Sequence, residues 1–162
     1  SFSDQKKQLN LLDLLEKFNF LEIIFVGDGK YLNDFIKEVK NRKLYSKVKC
    51  KGLLPTREVL HLLKKSHLYL HSVAWEGFGI SVLEAMKLGL PVIASDVIGL
   101  KEVVNNNKFM VKDFSSNKCH QLIKKLYINP NYYYEQSIRS FQNSQRFSFQ
   151  KSLSKYIFLY KK

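Results

Sequence analysis

The apolar positions of the chain follow two alternating spacings, and this alternation predicts an α/β fold. Short runs rich in β-branched and aromatic residues, bounded by Gly, Asp or Pro, predict buried strands. Segments with apolar residues three and four positions apart predict amphipathic helices between those strands. Such alternation is typical of a Rossmann-like parallel sheet sandwiched by helices. Strands are predicted within 20–26, 48–55, 67–73, 91–94 and 109–111, and helices within 9–17, 31–42, 56–65, 80–88, 96–104 and 116–128.

The stretch from Trp75 to Asp96 holds the strongest candidate chemistry. A buried strand precedes it, and a carboxylate, Glu76, is followed by the turn Gly77-Phe78-Gly79 and a helix that Gly89 ends. The turn should therefore lie at the carboxyl end of a strand, where open α/β sheets bind ligands. Glycine has no side chain, so a ligand can approach the backbone closely at this turn.

The same stretch predicts a ligand that carries both a phosphate and a sugar. The free N–H groups and the dipole of the first helical turn favour an anion. Glu84 follows Glu76 by eight positions. Two carboxylates beside a bound phosphate would repel it unless they face hydroxyl groups, from which carboxylates accept hydrogen bonds well. The alternative is an ordinary turn with a solvated Glu84.

Composition narrows the class of protein. At 162 residues the chain is expected to form one domain, residues 1–162. No run of eighteen apolar residues predicts a membrane span, and the polar start has no signal-peptide pattern. The formal net charge of +13 is compatible with nucleic acid, with an anionic membrane surface or with a lysine-rich solvated exterior. The lysines occur in pairs rather than long tracts, so we expect no nucleic-acid partner.

The cysteines and histidines predict neither a disulfide nor a metal site. Cys50 and Cys119 lie far apart and have no CxxC context, which is typical of reduced cytosolic thiols. The four histidines show no zinc-ligand spacing. His71 lies in an apolar strand, where a histidine is more often structural than catalytic.

The stretch from Glu76 to Ala94 resembles the E-x7-E signature of retaining glycosyltransferases of family 4, which have the GT-B architecture. The match includes Glu76-Gly-Phe-Gly, Glu84-Ala-Met, Gly89 and Pro91-Val-Ile-Ala. The resemblance implies the C-terminal, donor-binding domain of such an enzyme. It implies transfer of a hexose from a UDP- or GDP-sugar to a glycan or lipid-linked acceptor, with no cofactor and no divalent metal.

The resemblance also implies roles for individual residues. Glu84 would hold the ribose hydroxyls and Glu76 the hydroxyls of the sugar. Lys7 would contact the diphosphate, with Lys6 as the near alternative, and Glu76 and Lys7 are the implied catalytic pair. Backbone N–H groups of Phe78, Gly79 and Ile80, next to Gly77, would bind the diphosphate. The turn with Gly27 and Gly29 would lie beside the donor pocket. The turn with Gly52 and Leu53 would meet the nucleotide base.

The chain departs from the family pattern at three places. Phe2 stands where the family has an arginine, and Cys50 stands where an aromatic residue is usual. The central strand that precedes the first loop in the family is missing from this sequence. We therefore expect a fragment that lacks the N-terminal acceptor domain and is inactive alone. Arg146-Phe147-Ser148-Phe149 matches the family element that opens a final helix, here about 149–160, after an aromatic-rich tail.

The expected setting is the cytoplasm, with a peripheral position at the inner membrane face compatible with the basic charge, in polysaccharide or lipopolysaccharide biosynthesis. Two alternatives to a glycosyltransferase domain stay open. One is a GT-B sugar epimerase-like domain, and the other is a basic nucleic-acid-binding module.

Overall fold

A computed structural model describes residues 2–3 and 5–147, and alternating strands and helices run through this range. The strands are β1 (Ile23–Phe25), β2 (Val48–Cys50), β3 (Tyr69–His71), β4 (Val92–Ser95) and β5 (Met110–Val111). The helices are α1 (Leu12–Lys17), α2 (Leu32–Asn41), α3 (Thr56–Lys64), α4 (Ile80–Lys87), α5 (Ile98–Val104), α6 (Asn117–Ile128) and α7 (Pro130–Ser144), with 3-10 turns at Gln8–Leu11 and Asn107–Phe109.

The strands form two parallel sheets, which confirms the predicted α/β class. β1 pairs with β2, with Ile23 opposite Val48, and β4 lies between β3 and β5. β4 is buried along its whole length, as expected for a strand covered by helices on both faces. The fully buried side chains come mostly from α1, α4, α5 and β4, and include Leu12, Leu14, Leu15, Val82, Met86, Ile93, Leu100 and Val103.

The N-terminal residues 2–3 and 5–7 contact both sheets. The N–H of Phe2 donates to the carbonyl of Asp28, which follows β1, at 2.9 Å. The N–H of Lys7 donates to the carbonyl of Ser72, which follows β3, at 3.1 Å. Backbone hydrogen bonds to both sheets therefore hold this segment at the carboxyl ends of the strands, beside the loops that were predicted to bind a ligand.

Phe2 is a core residue. It is buried, and its ring lies 5.2 Å from that of Phe35 and 6.2 Å from that of Phe25. A charged side chain in this apolar pocket would lose its hydration without a partner. The position that aligns with the family arginine is thus filled by a packing residue.

Local signals predict two helix ends. Gly89 follows α4 with φ of +76°, which confirms it as the stop signal. The predicted helix within 56–65 begins at Thr56, with Pro55 in the N-cap position, so Thr56 is its first helical residue and does not cap it. The prediction of a final helix at about 149–160 lies outside the described residues.

Helix α7 occupies the aromatic-rich stretch that follows α6, for which the sequence analysis predicted no helix. Asn129 caps this helix, since its side-chain oxygen accepts from the N–H of Tyr132 at 2.9 Å, and Pro130 takes the first position. Both are ordinary signals for a helix start. Apolar spacing does not predict this helix, because beyond its first turn α7 has no inward apolar stripe.

The two faces of α7 are reversed relative to an ordinary amphipathic helix. After Tyr132 and Tyr133 of the first turn, which pack against the core, its inward face carries small and polar residues. The hydroxyl of Ser140 donates to the carbonyl of Leu90 at 2.6 Å. Its outward face carries Tyr134, Ile138 and Phe141, which are 68%, 38% and 48% exposed. We call these three residues the α7 apolar stripe.

Candidate functional site

Residues 72–79 join the carboxyl end of β3 to α4, and their last four residues, Glu76 to Gly79, form a glycine-rich loop. Gly79 occupies the N-cap position of α4 with φ of +83°, a left-handed conformation that glycine adopts without strain. Within the described chain, no side chain caps this helix. The first-turn N–H groups of such a helix attract an anion.

The two glycines of the loop are required for different reasons. A Cβ on Gly79 would lie 2.5 Å from Cδ2 of Leu100, so this glycine is explained by backbone conformation and packing. A Cβ on Gly77 would meet no described atom within 4 Å. Close approach of a ligand, which the sequence predicted for both, is therefore a sufficient reason for glycine only at Gly77.

The first turn of α5 packs tightly against this loop. A Cβ on Gly99 would lie 1.9 Å from the carbonyl oxygen of Glu76 and 2.6 Å from that of Gly77. Because both contacts are to backbone atoms, a larger residue could be accommodated only by moving the loop. Gly99 thus sets the position of the loop from outside it, and only the tertiary structure reveals this contact.

The carboxylate of Glu76 is held by three neighbours. Its Oε2 accepts a hydrogen bond from the ammonium of Lys6 at 2.9 Å and lies 3.1 Å from Nε2 of His71. Its Oε1 accepts from the N–H of Gly77 at 3.2 Å. Burial acts to raise the pKa of Glu76, but the hydrogen bonds and charges of Lys6 and His71 outweigh burial and hold this pKa below its ordinary value.

His71 lies against Glu76, although the sequence indicated only a structural role. It is the last residue of β3 and is 6% exposed. Burial lowers the pKa of His71, and the charge of Lys6 lowers it further, so the imidazole is neutral at pH 7. A carboxylate can only accept, so the proton is assigned to Nε2 and the neutral ring donates to Glu76.

Lys6, the alternative in the sequence-based assignment, is the lysine that faces Glu76. Lys6 forms an antiparallel bridge with Val73, and neighbouring residues of an extended segment point to opposite sides. The backbone of Lys7 binds Ser72, whose hydroxyl donates to the Lys7 carbonyl at 2.8 Å, while the Lys7 side chain is exposed. Contact of Lys7 with a diphosphate stays a prediction.

The charges of Glu84 and Glu76 both act on the Tyr69 phenol. Burial raises the pKa of Tyr69 in that strand, a hydrogen bond with Ser81 opposes this shift, and the charges of Glu84 and Glu76 add to it. Binding of one ligand by both carboxylates stays a prediction. Glu84 is partly exposed on the second turn of α4, and its carboxylate has no partner among the described residues.

Phe78 links the loop to the end of α7. Its ring lies 5.3 Å from the ring of Phe147 in an edge-to-face arrangement. The guanidinium of Arg146 lies 5.3 Å from the Phe147 ring and donates to the carbonyl of Glu102 at 3.3 Å. The chain therefore leaves α7 directly beside the candidate site.

The turns predicted to meet the base also lie together. The N–H of Gly27, after β1, donates to the carbonyl of Gly52, after β2, at 2.7 Å. Gly29 is a packing glycine, because a Cβ there would lie 2.2 Å from the carbonyl oxygen of Phe2. Gly52 has open space around it, and Leu53 is exposed. Contact of these turns with a nucleotide stays a prediction.

Comparison with known proteins identifies the family. Residues 1–146 match the family described as Glycosyl transferases group 1. The chain belongs to this family. Its α/β fold with parallel sheets flanked by helices is that of GT-B glycosyltransferases.

Two curated relatives of this group 1 glycosyl transferase chain share one enzyme name. The GPI3 subunit of phosphatidylinositol N-acetylglucosaminyltransferase from Saccharomyces cerevisiae is 31% identical over 86 residues, 53% of this chain and 19% of that protein. A phosphatidylinositol N-acetylglucosaminyltransferase subunit from Homo sapiens is 28% identical over 117 residues, 71% of this chain and 24% of that protein. The chain thus spans about a quarter or less of the length of these relatives.

A solved structure extends the similarity to three dimensions. HepE from Anabaena, crystallised with UDP-glucose, superimposes with a TM-score of 0.81 and 26% identity. The superposition covers 91% of this chain and 43% of HepE. The structural likeness thus includes nearly all of the group 1 glycosyl transferase chain and less than half of the neighbour.

The candidate site is an open surface rather than an enclosed cavity. Trp75 and Ile80, on either side of the loop, are 63% and 69% exposed. A separate cavity of about 400 Å³ lies near the amino end of β4, where Val92, Gln136 and Asn143 are among the lining residues. The sequence predicted no cavity there, because α7, which supplies its polar wall, was not predicted.

Residues 2–3 and 5–147 contain no group of three or more His, Cys, Asp or Glu side chains that could hold a metal ion. None of the helices in the same range combines the length and apolar character needed to cross a bilayer.

Proposed function

We propose that this chain is the C-terminal, donor-binding domain of a retaining family-4 glycosyltransferase that transfers a hexose from a nucleotide diphosphate sugar. The observation that carries the proposal is the start of α4, where no described side chain caps the helix, Gly77 has open space around it and the carboxylate of Glu84 follows in the second turn. An anion fits the helix N-terminus, and hydroxyl groups fit the two carboxylates.

The diphosphate would lie at the start of α4. The N–H groups of Phe78, Gly79 and Ile80 are the candidate donors, and a lysine supplies the positive charge. The position of its ammonium favours Lys6 over Lys7 as that lysine. Fixed donors aimed at the leaving diphosphate stabilise the charge that develops as the glycosidic bond breaks, which is the main catalytic contribution we assign to this domain. The lysine and the helix N-terminus replace a divalent metal in this scheme.

Glu84 would bind the ribose and Glu76 the transferred sugar. Glu84 has a free carboxylate within the described chain, and Glu76 keeps one oxygen with spare acceptor capacity. UDP-sugars are the first donors to test, because HepE was crystallised with UDP-glucose. GDP-sugars are the second.

The acceptor would bind to a domain outside this chain. The named relatives act on phosphatidylinositol and are four to five times longer than the matched region, as 24% and 19% coverage imply. We therefore propose a lipid-linked or glycan acceptor held by a separate N-terminal domain. On this proposal the isolated chain binds a donor without transferring the sugar.

The proposal is tested with a thermal-shift panel of UDP, GDP, UDP-glucose, UDP-N-acetylglucosamine and GDP-mannose on the 162-residue chain. We expect at least one UDP compound to raise the melting temperature and Glu84→Ala to abolish this rise. Glu135→Ala is the matched control, because Glu135 lies on α7 in an exposed pair with Arg139 at 2.9 Å. Equal responses of the two variants would contradict the assigned pocket.

Two rivals predict other ligands. A nucleic-acid-binding module would bind any duplex with an affinity that falls steeply with salt and would not respond to nucleotide sugars. An epimerase-like domain would interconvert UDP-sugars without an acceptor, which analysis of the sugar after incubation would detect. Membership of the glycosyl transferase family favours neither rival.

We also propose that the chain acts at an anionic membrane surface, with the α7 apolar stripe turned toward the lipid. An amphipathic helix whose aromatic and aliphatic residues face outward can bury them at the headgroup level. The net charge of +13 complements anionic lipid. Lys125, in the last turn of α6, places its ammonium 3.9 Å from the ring of Tyr132 in the first turn of α7.

Vesicle sedimentation tests this surface. We expect the chain to pellet with phosphatidylcholine vesicles containing phosphatidylglycerol, and Ile138→Glu to weaken this binding several-fold. Ile36→Glu on α2 is the matched control, since Ile36 is also a half-exposed helical isoleucine. Pelleting that is equal for both variants, or a chain dimer that only Ile138→Glu disrupts, would overturn the proposal.

A further inference from the structure

The hydrogen bonds around Glu76 leave one of its oxygens nearly free. Oε2 receives both the Lys6 ammonium at 2.9 Å and the His71 Nε2 at 3.1 Å. A carboxylate oxygen accepts along two lone-pair directions, so Oε2 is saturated. Oε1 accepts only from the N–H of Gly77 at 3.2 Å. Glu76 therefore has acceptor capacity for one further hydroxyl, on Oε1.

Of the two side chains on Oε2, His71 is the rigid one. It is buried, its strand residue pairs with Ala94 of β4, and its ring lies 5.9 Å from the Tyr69 ring at an interplanar angle of 20°. Lys6 reaches Glu76 on a flexible four-carbon chain whose side chain is 21% exposed. An imidazole that is already ordered loses little conformational entropy when it donates a hydrogen bond to a carboxylate. A lysine loses rotational freedom about several side-chain bonds when it does the same.

We propose that His71 is a positioning residue for sugar binding, which fixes the Glu76 carboxylate so that Oε1 faces the sugar of the bound donor. The neutral ring adds a donor without adding charge, so the Lys6 ammonium and the Glu76 carboxylate stay balanced. This proposal rests on the proposed function, in which Glu76 meets the sugar and Glu84 meets the ribose. It predicts that His71 affects binding of a UDP-sugar and leaves binding of UDP unchanged.

Calorimetric titration of the 162-residue chain with UDP and with UDP-glucose tests this split. His71→Leu keeps the apolar volume and removes the donor, so we expect UDP-glucose to bind about tenfold more weakly, while the affinity for UDP changes less than about twofold. His71→Gln places an amide N–H near the position of Nε2, and we expect it to restore UDP-glucose binding to within about threefold of the original.

Each other result of the titration overturns the proposal. If His71→Leu leaves UDP-glucose binding unchanged while Glu84→Ala abolishes it, His71 has no positioning role and the proposed function stands. If UDP and UDP-glucose weaken equally, or His71→Gln fails to restore binding, the residue is only structural. If the original chain binds neither compound, the proposed function fails and the inference fails with it.

A measurement without variants covers the case in which His71→Leu does not fold. Nitrogen-15 NMR of the unsubstituted chain at pH 7 identifies which ring nitrogen of a neutral histidine carries the proton. We expect His71 to be the neutral Nε2–H form. A proton on Nδ1 alone would leave Nε2 unable to donate to Glu76 and would overturn the proposal.

Discussion

Helices α4 and α7 pack against each other, but they do so with opposite chemistry. α4 buries Val82, Ala85 and Met86, as the spacing of its apolar residues predicted. α7 turns serines and amides inward, of which Gln136 and Ser144 are buried, and leaves its apolar stripe outside. Hydrophobic spacing finds a helix that is held by burial of apolar area. Hydrophobic spacing does not predict a helix whose small and polar residues pack closely against its neighbours and donate hydrogen bonds to their backbone carbonyls.

The largest effect that this comparison predicts is on α4. Met86 is buried on the α4 face that meets β4 and α7, where it lines the cavity of about 400 Å³, so Met86→Ala removes buried apolar contacts and enlarges that cavity. We expect it to lower the free energy of unfolding by about 3 kcal/mol. Ile138→Ala, on the outward face of α7, should change it by less than about 0.5 kcal/mol. Urea denaturation measures both, and similar losses would mean that the α7 stripe is buried in solution.

A smaller loss is expected at the contact between α5 and the candidate site. Gly99→Ala places a methyl group against the carbonyl of Glu76, and overpacking of this kind destabilises by about 2 kcal/mol. It should also weaken binding of UDP, because the loop must move. Gly77→Ala is the control for folding, since its methyl group meets open space. We expect Gly77→Ala to melt like the original chain and still to bind UDP more weakly. A Gly77→Ala chain that binds UDP normally would exclude close approach of the ligand there.

The hydrogen bonds of α7 should have a smaller effect. The Asn143 amide donates to the carbonyls of Val103 at 3.0 Å and Val104 at 2.7 Å, at the end of α5. Removal of both bonds in Asn143→Ala should lower the free energy of unfolding by about 1 kcal/mol. Gln142→Ala, on the exposed adjacent position, should change it by less than about 0.5 kcal/mol. A neutral Asn143→Ala would show that close packing alone holds α7.

The smallest expected change is in the pH dependence of stability. The pKa of His71 lies below its ordinary value of 6.5 in the folded chain, because burial and then Lys6 disfavour the imidazolium. The unfolded chain therefore binds this proton more readily, and the stabilisation present above pH 6.5 is lost as the pH falls through the folded pKa. We expect His71→Gln to reduce the loss of stability on acidification below pH 6.5. An identical pH profile for both chains would contradict the buried neutral imidazole.

Local signals were sufficient for the parts of the site that are continuous in sequence. The strand before Glu76, the turn to Gly79 and the start and end of α4 were predicted from apolar spacing and glycine positions. The signals for α7 were also local, at Asn129 and Pro130, but they were outweighed by the absence of an inward apolar stripe.

Contacts between distant segments could not be predicted. Lys6 meets Glu76 across 70 positions, and a shift of one residue in its extended segment would have presented Lys7 instead. The resemblance to a family allowed either lysine, because it aligns motifs without specifying which side of the chain faces inward.

The amino-acid sequence alone therefore determined the α/β class, the glycine turn and the two carboxylates, because these depend on spacing within single strands and helices. The tertiary structure alone decided which lysine faces Glu76, that His71 donates a hydrogen bond to Glu76, and that Gly99 sets the position of the Glu76–Gly79 loop. Those features depend on register and on distances between backbone segments far apart in the chain. The spacing of residues along a sequence specifies neither the register of paired segments nor the distances between segments that are far apart in the chain.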